Sequence, residues 1–203
     1  MSNSRTHFAA ATTGSDVADQ FVVSVDMKVG AYIVANSGAM PTEGARHVTA
    51  SHTSTDTTDT LGTLVVVGKN LANMAITETL TPVADDVVEG TEWFASITSV
   101  TGVGWVVDGT EHTKDKITVG CGEDVAAVEG TGTLHSVSVN TTAAGAITLS
   151  DAAGTLAVLP ASVDEDNYTY DVTFSGFLGV ALGDDSDITV IHSGSRPTVY
   201  SMA

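Results

Sequence analysis

Asn167-Tyr168-Thr169-Tyr170-Asp171-Val172-Thr173-Phe174 decides the fold class of this chain. Tyr168, Tyr170, Val172 and Phe174 fall on one side of an extended backbone, and Thr169, Asp171 and Thr173 fall on the other. This period of two marks a strand with one buried face and one wet face. The same pattern recurs on both sides of it, with candidate strands at 134–139, 146–150, 155–159, 178–181 and 187–192. The connections Thr142-Ala143-Ala144-Gly145, Asp151-Ala152-Ala153-Gly154 and Asp164-Glu165-Asp166 are turn chemistry. Short strands at this spacing predict a sandwich. A further edge strand is expected at 198–201.

Upstream, strands are expected at 21–26, 29–35, 61–67, 74–80, 93–100, 105–108 and 116–120. Between the second and third lies 36–60, which contains His47, His52 and the run Ser51-His52-Thr53-Ser54-Thr55-Asp56-Thr57-Thr58-Asp59-Thr60. So polar a run offers little apolar burial and reads as a long surface loop suited to partner contacts. The only helix candidates, 17–21 and 84–88, are short and lack an apolar stripe over three turns. The expected fold is all-β: two antiparallel β-sandwich domains of jelly-roll or immunoglobulin-like type, preceded by an extended N-terminal arm. The arm is 1–19, the first domain 20–126 and the second 127–203. The boundary falls in the acidic stretch 124–132 with its Gly130-Thr131-Gly132 hinge.

Apolar residues make up 42% of the 203 and aromatics only 5%, so a packed core is expected and must rest on Val, Ile, Leu and Ala. With 7 Lys and Arg against 25 Asp and Glu, the formal net charge is −18. Such a surface repels nucleic acid and anionic membrane, so neither is an expected partner. A halophilic setting, where salt shortens repulsion to a few Å, accounts for the acidity; an ordinary acidic extracellular or virion protein is the other reading. The single Cys121 excludes an intramolecular disulfide, and its alternation with Ile117 and Val119 makes it a buried, inert thiol. Residues 1–14 show no apolar signal core, and the longest apolar runs fall far short of the ~18 residues of a membrane span. The expectation is synthesis in a host cytoplasm without a signal peptide, followed by assembly into a particle.

Reactive constellations are sparse. No Gly-x-Ser-x-Gly elbow occurs, and Ser193 beside His192 does not make a pair, because neighbours on a strand face opposite ways. Three Gly-x-Gly sequences, at 102–104, 120–122 and 130–132, lack the helix that a phosphate loop needs and read as turn or bulge glycines. The six histidines show no zinc spacing. Among the acidic clusters, Asp184, Asp185 and Asp187 form the candidate site for a structural Ca²⁺ or Mg²⁺, against Asp164-Glu165-Asp166 and Asp85-Asp86 with Glu89. No other cofactor is implied. Trp93 and Trp105 lie in apolar runs and read as core, which leaves little aromatic surface for stacking on sugar. The chain is therefore expected not to be an enzyme.

One further pattern rests on a resemblance. Thr133-Leu134-His135-Ser136-Val137-Ser138-Val139-Asn140 is followed by Gly145-Ala146-Ile147-Thr148-Leu149-Ser150-Asp151, Leu156-Ala157-Val158-Leu159-Pro160, the 167–174 strand and a close on Asp187-Ile188-Thr189-Val190. With Ile76-Thr77-Glu78-Thr79-Leu80, Trp93-Phe94-Ala95-Ser96-Ile97-Thr98-Ser99-Val100 and Ile117-Thr118-Val119-Gly120 upstream, this order resembles β-sandwich virion accessory proteins of tailed phages and tailed archaeal viruses. The resemblance spans about two thirds of the chain and implies a homo-oligomeric particle component, in contact with virion proteins such as the major capsid protein. Its place would be capsid decoration, turret or tail. The alternative is a tail or fibre module that binds a receptor or carbohydrate. The resemblance carries over no site residues.

Overall fold

The computed structural model describes residues 6–11, 17–41, 44–55, 58–107, 114–142, 144–183 and 186–195. These form strands β1 (Thr6–Ala11), β2 (Val17–Asp26), β3 (Gly30–Ala31), β4 (Ala45–Thr53), β5 (Thr63–Lys69), β6 (Ala75–Leu80), β7 (Val87–Glu89) and β8 (Ser96–Val103). The series continues with β9 (Lys116–Glu129), β10 (Thr131–Thr141), β11 (Ile147–Asp151), β12 (Gly154–Leu159), β13 (Asn167–Phe174), β14 (Phe177–Leu182) and β15 (Asp187–Ser195). Among the described residues there is no α-helix, only one 3₁₀ turn at Asn36–Gly38. The protein is all-β with several antiparallel sheets, as the period-two pattern predicts.

The chain divides into two compact units: Met1–Ser15, Thr42–Ala45 and Glu123–Ala203 in one, Asp16–Pro41 and Arg46–Gly122 in the other. Strand β9 changes unit along its length, with Lys116–Gly122 in the second and Glu123–Glu129 in the first.

In the first unit, one sheet has the order β1-β15-β10-β13. The other comprises β12, β11, β14 and the end of β9. One apolar cluster takes Leu134, Val137, Phe174, Ile188 and Val190 from the former and Val125, Ile147, Leu149, Leu178 and Val180 from the latter. Each such side chain contributes about 1.5–3 kcal/mol by leaving water, so this layer between two sheets holds the unit together. The 167–174 strand behaves as its sequence requires: Thr169, Asp171 and Thr173 are exposed, Tyr168, Tyr170 and Val172 half-buried, and Phe174 buried. Residues 6–11 do not form an arm: β1 pairs antiparallel with β15, Thr6 opposite His192 and Ala11 opposite Asp187. The stretch 124–132 is likewise strand, broken only at Gly130, whose φ of 113° turns β9 into β10.

The second unit contains the sheet β3-β8-β5-β6. A further set comprises β2, the start of β9, β4 and β7, with β2 on β9 and β7 on β4. Its core holds Phe21, Leu64, Val66, Phe94, Ile117, Val119 and Cys121, so the lone thiol is buried among aliphatic neighbours.

The expectation of a long surface loop holds for only part of 36–60. Strand β4 crosses the stretch, and Ala45, Arg46, Val48, Thr49, Ala50 and His52 are all buried. Of the polar run 51–60, the strand takes only the start; Thr53, Ser54, Thr55, Thr58 and Thr60 are exposed. The buried Arg46 and His52 meet partners far away in sequence. Arg46 Nη1 donates to the Gly122 carbonyl at 2.9 Å, and His52 Nε2 lies 3.1 Å from Asp115 Oδ2. Smaller departures follow the same logic. Among the described residues, only Gly30–Ala31 of 29–35 and a single bridge at Val106 of 105–108 are in strand pairing, and the helix candidates fall in β2 and across the turn into β7. The expected strand at 198–201 lies outside the described residues.

Asp151 fastens two turns of the first unit. Its Oδ1 accepts the Ala153 and Gly154 amides at 2.8 and 3.2 Å, and its Oδ2 accepts the Ser175 amide at 2.9 Å and the Ser175 hydroxyl at 3.3 Å. The Ser175 amide above all, then that of Ala153, holds the carboxyl below the ordinary aspartate value of 3.8. A lowered folded value means full stabilisation above 3.8, lost as pH falls through the folded value. Asp151→Asn is expected to lower the melting temperature at neutral pH, with the gap to the parent protein closing below about pH 3.8. A gap that stays constant across a calorimetric pH series would refute this account.

Candidate functional site

Ser193 has a histidine partner, though not its sequence neighbour. Strands β15, β10 and β13 lie side by side, and three polar side chains form a row across them. His135 of β10 places Nε2 3.1 Å from Ser193 Oγ of β15 and Nδ1 2.8 Å from Asp171 Oδ1 of β13. Two backbone irregularities set up the row. On the β15 side, Leu134 pairs with His192 and Ser136 with Ile191, leaving His135 as an extra residue. On the β13 side, Leu134 pairs with Val172 and Ser136 with Thr169, so Tyr170 and Asp171 together face one residue. Bulges re-aim side chains, and this double one turns the imidazole toward both neighbours. Asp171 also sits at φ 51°, a left-handed conformation that an aspartate occupies at some cost.

The two partners select one tautomer of the neutral ring. An ionised carboxylate only accepts, so Nδ1 carries the hydrogen shared with Asp171. In the neutral ring the Nε2 lone pair then accepts from the Ser193 hydroxyl. The His135 side chain is 25% exposed and that of Asp171 67%. The row is open to solvent. Sequence reasoning missed it because the three residues lie 36 and 58 positions apart and meet only through a bulge that no local pattern announces.

A second polar cluster is enclosed. Asp115 accepts from His52 Nε2 through Oδ2 and from the Thr55 amide through Oδ1 at 2.6 Å; its own amide donates to Asp59 Oδ2 at 2.9 Å and its carbonyl accepts the Met27 amide at 2.8 Å. His52 Nδ1 accepts the Asp85 amide at 3.3 Å. His52 and Asp115 are each 3% exposed, so this pair ties segments together and offers nothing to a substrate.

The metal candidate is only partly visible. Asp184 and Asp185 lie outside the described residues. Asp187 opens β15, where Asn140 Nδ2 donates to its Oδ1 at 3.4 Å. Among the described residues no three His, Cys, Asp or Glu side chains group as metal ligands would. Trp105 is buried, as its apolar setting predicts, whereas Trp93 is half-buried and stacks on His47 with ring centroids 3.7 Å apart.

The second unit carries an apolar hollow of about 230 Å³, lined by Val22, Val23, Val25, Lys28, Tyr32, Ile33 and Ala35. Tyr32 shapes it: its hydroxyl accepts the Lys28 amide at 3.0 Å and lies 3.2 Å from the Lys28 carbonyl, while Lys28 Nζ sits 5.2 Å from the ring centroid. Burial raises the Tyr32 phenol above its ordinary value of 10. Ile33 is 88% exposed at this hollow and Val23 59%, and Val29 nearby in sequence is 65% exposed. Two exposed apolar side chains, Val23 and Ile33, thus flank one apolar depression. No protein-family model, curated protein or solved structure matches the chain.

Next to the His135 row, His192 is buried, with Phe174 edge-on at 6.3 Å and a buried Nδ1 that meets no hydrogen-bonding protein group. Burial, and then the proximity of His135, hold its ring below the usual histidine value of 6.5. The unfolded chain takes up this proton first, so stability is full above pH 6.5 and falls as pH drops below it. His192→Leu is expected to flatten the melting-temperature profile between about pH 6.5 and pH 5 relative to the parent. Parallel profiles for the two proteins would show that His192 does not carry the effect.

Proposed function

We propose that this chain is a structural virion protein that assembles as a homo-oligomer on the capsid of a tailed virus, as decoration or turret. The observation that carries the assembly half of this reading is the apolar hollow with Ile33 standing exposed on it. At about 230 Å³ it is smaller than the ~300–1,000 Å³ of small-ligand pockets, and it suits one or two inserted side chains. A surface with both a hole and a protruding isoleucine can complement itself, the requirement for a two-fold contact between identical subunits. The virion half rests on the resemblance of the 133–190 strand order to virion accessory sandwiches. The two-sheet core of the first unit is consistent with such a sandwich.

With −18 charges per copy, long-range forces oppose self-association, and an apolar contact gains strength as salt screens them. Halophilic conditions would favour the assembled form. Partners then include a second copy and virion proteins such as the major capsid protein, with no nucleic acid or membrane. Work of this kind requires no catalysis. The alternative, a tail or fibre module for a receptor or carbohydrate, draws on the half-buried Trp93 stacked on His47, since aromatic faces bind sugars.

Sizing by light scattering in about 1 M salt, where the Debye length is about 3 Å, tests the reading. The parent chain is expected as a defined oligomer. Ile33→Asp, which adds a charge to the contact at an already exposed position, is expected as a folded monomer. A monomeric parent at all salt concentrations, or an Ile33→Asp oligomer of unchanged size, would refute the contact. A monomer that binds glycans through Trp93 would move the assignment to the fibre alternative.

A further inference from the structure

We infer that Ser193, His135 and Asp171 form a nucleophilic site able to cleave short-chain carboxylic esters. Connectivity, direction and construction each point to this role. The connectivity is hydroxyl to Nε2 at 3.1 Å and Nδ1 to carboxylate at 2.8 Å, the order in which a base takes a serine proton while a carboxylate steadies the resulting imidazolium. The direction follows from the carboxylate: because Asp171 can only accept, the free lone pair of the ring faces the serine. In the construction, a bulge on each side of His135 and a left-handed aspartate converge on one row, and backbone irregularity of this kind gathers at functional sites.

The chemistry balances without any further reactant but water. Ser193 Oγ bonds to the ester carbonyl carbon as its proton passes to His135 Nε2. The carbon–alkoxy bond breaks, and the departing oxygen takes that proton from the ring. Water then adds to the acyl-serine carbonyl with His135 again accepting a proton, and loss of the serine oxygen, reprotonated by the ring, frees the carboxylic acid. The substrate class follows from the setting. Ser193 is half-buried, its neighbour Gly194 and the partner Asp171 are exposed, and the row lies on a sheet rather than in a cleft. An open face accepts an ester displayed on a large molecule, and the acyl group it can handle is short, such as acetyl.

The test uses the full chain and two probes, a fluorophosphonate and p-nitrophenyl acetate, at about pH 8. Intact mass and peptide mapping are expected to show one phosphonyl adduct, on Ser193, and Ser193→Ala is expected to show none. A general base contributes about 10²–10⁴-fold, so His135→Gln is expected to slow both labelling and p-nitrophenyl acetate turnover by at least about 100-fold. Asp171→Gly is the structural control. Glycine occupies φ 51° without strain, so this variant is expected to melt at or above the parent temperature while losing at least about tenfold in labelling rate. Labelling of the parent no faster than of surface serines elsewhere, or an unchanged rate in folded His135→Gln, would overturn the site. So would an unchanged rate in folded Asp171→Gly.

Discussion

Asp115 is the group on which the second unit most depends. Its carboxylate, amide and carbonyl between them hold Met27, His52, Thr55 and Asp59. Strand β4 contributes Arg46, Thr49 and His52 to the interior, and a buried polar group without a partner costs about 1–3 kcal/mol. Were His52 to lose Asp115, a cost of that size would fall on this strand. The pairing therefore does more than add stability. It lets a segment that carries Arg46, Thr49 and His52 serve as a core strand.

That dependence explains where reading the sequence succeeded and where it stopped. The strands from β10 to β15 each place apolar residues on one face, so alternation alone locates them to within a few residues. Strand β13 follows its predicted faces residue by residue through a bulge. Strand β4 is buried on both sides and mixes Arg46, Thr49 and His52 with Ala and Val, so no alternation marks it, and its partners at Gly122 and Asp115 lie 76 and 63 residues away. The His135 row was hidden for the same reason. Local rules correctly separate His192 from Ser193, one buried and the other reaching the opposite face. They say nothing about a histidine that arrives from another strand. In both cases the missing information is long-range pairing, which a window of ten residues does not contain.

The two surfaces singled out differ in kind. The hollow around Tyr32 and Ile33 is apolar and suits a contact that excludes water, whereas the His135 row is polar and wet. A chain with such an excess of acid can use both, because neither requires the bulk surface to attract anything. The proposed assembly also loses one device that the sequence suggested. With β1 paired to β15 of its own chain, residues 6–11 are engaged at home and do not serve as a strap onto a neighbour.

The pairing of β1 with β15 reaches further, to the order of events during synthesis. Thr6 meets His192, so β1 stays without its neighbour while some 180 residues follow, on the order of ten to forty seconds at cellular elongation rates. For that interval an alanine-rich ribbon is exposed beside the ribosome, open to association with another nascent copy. Closure of this edge of the sheet waits for the synthesis of β15, and a ribosome that stalls short of that strand releases a chain whose β1 lacks the neighbour it closes upon.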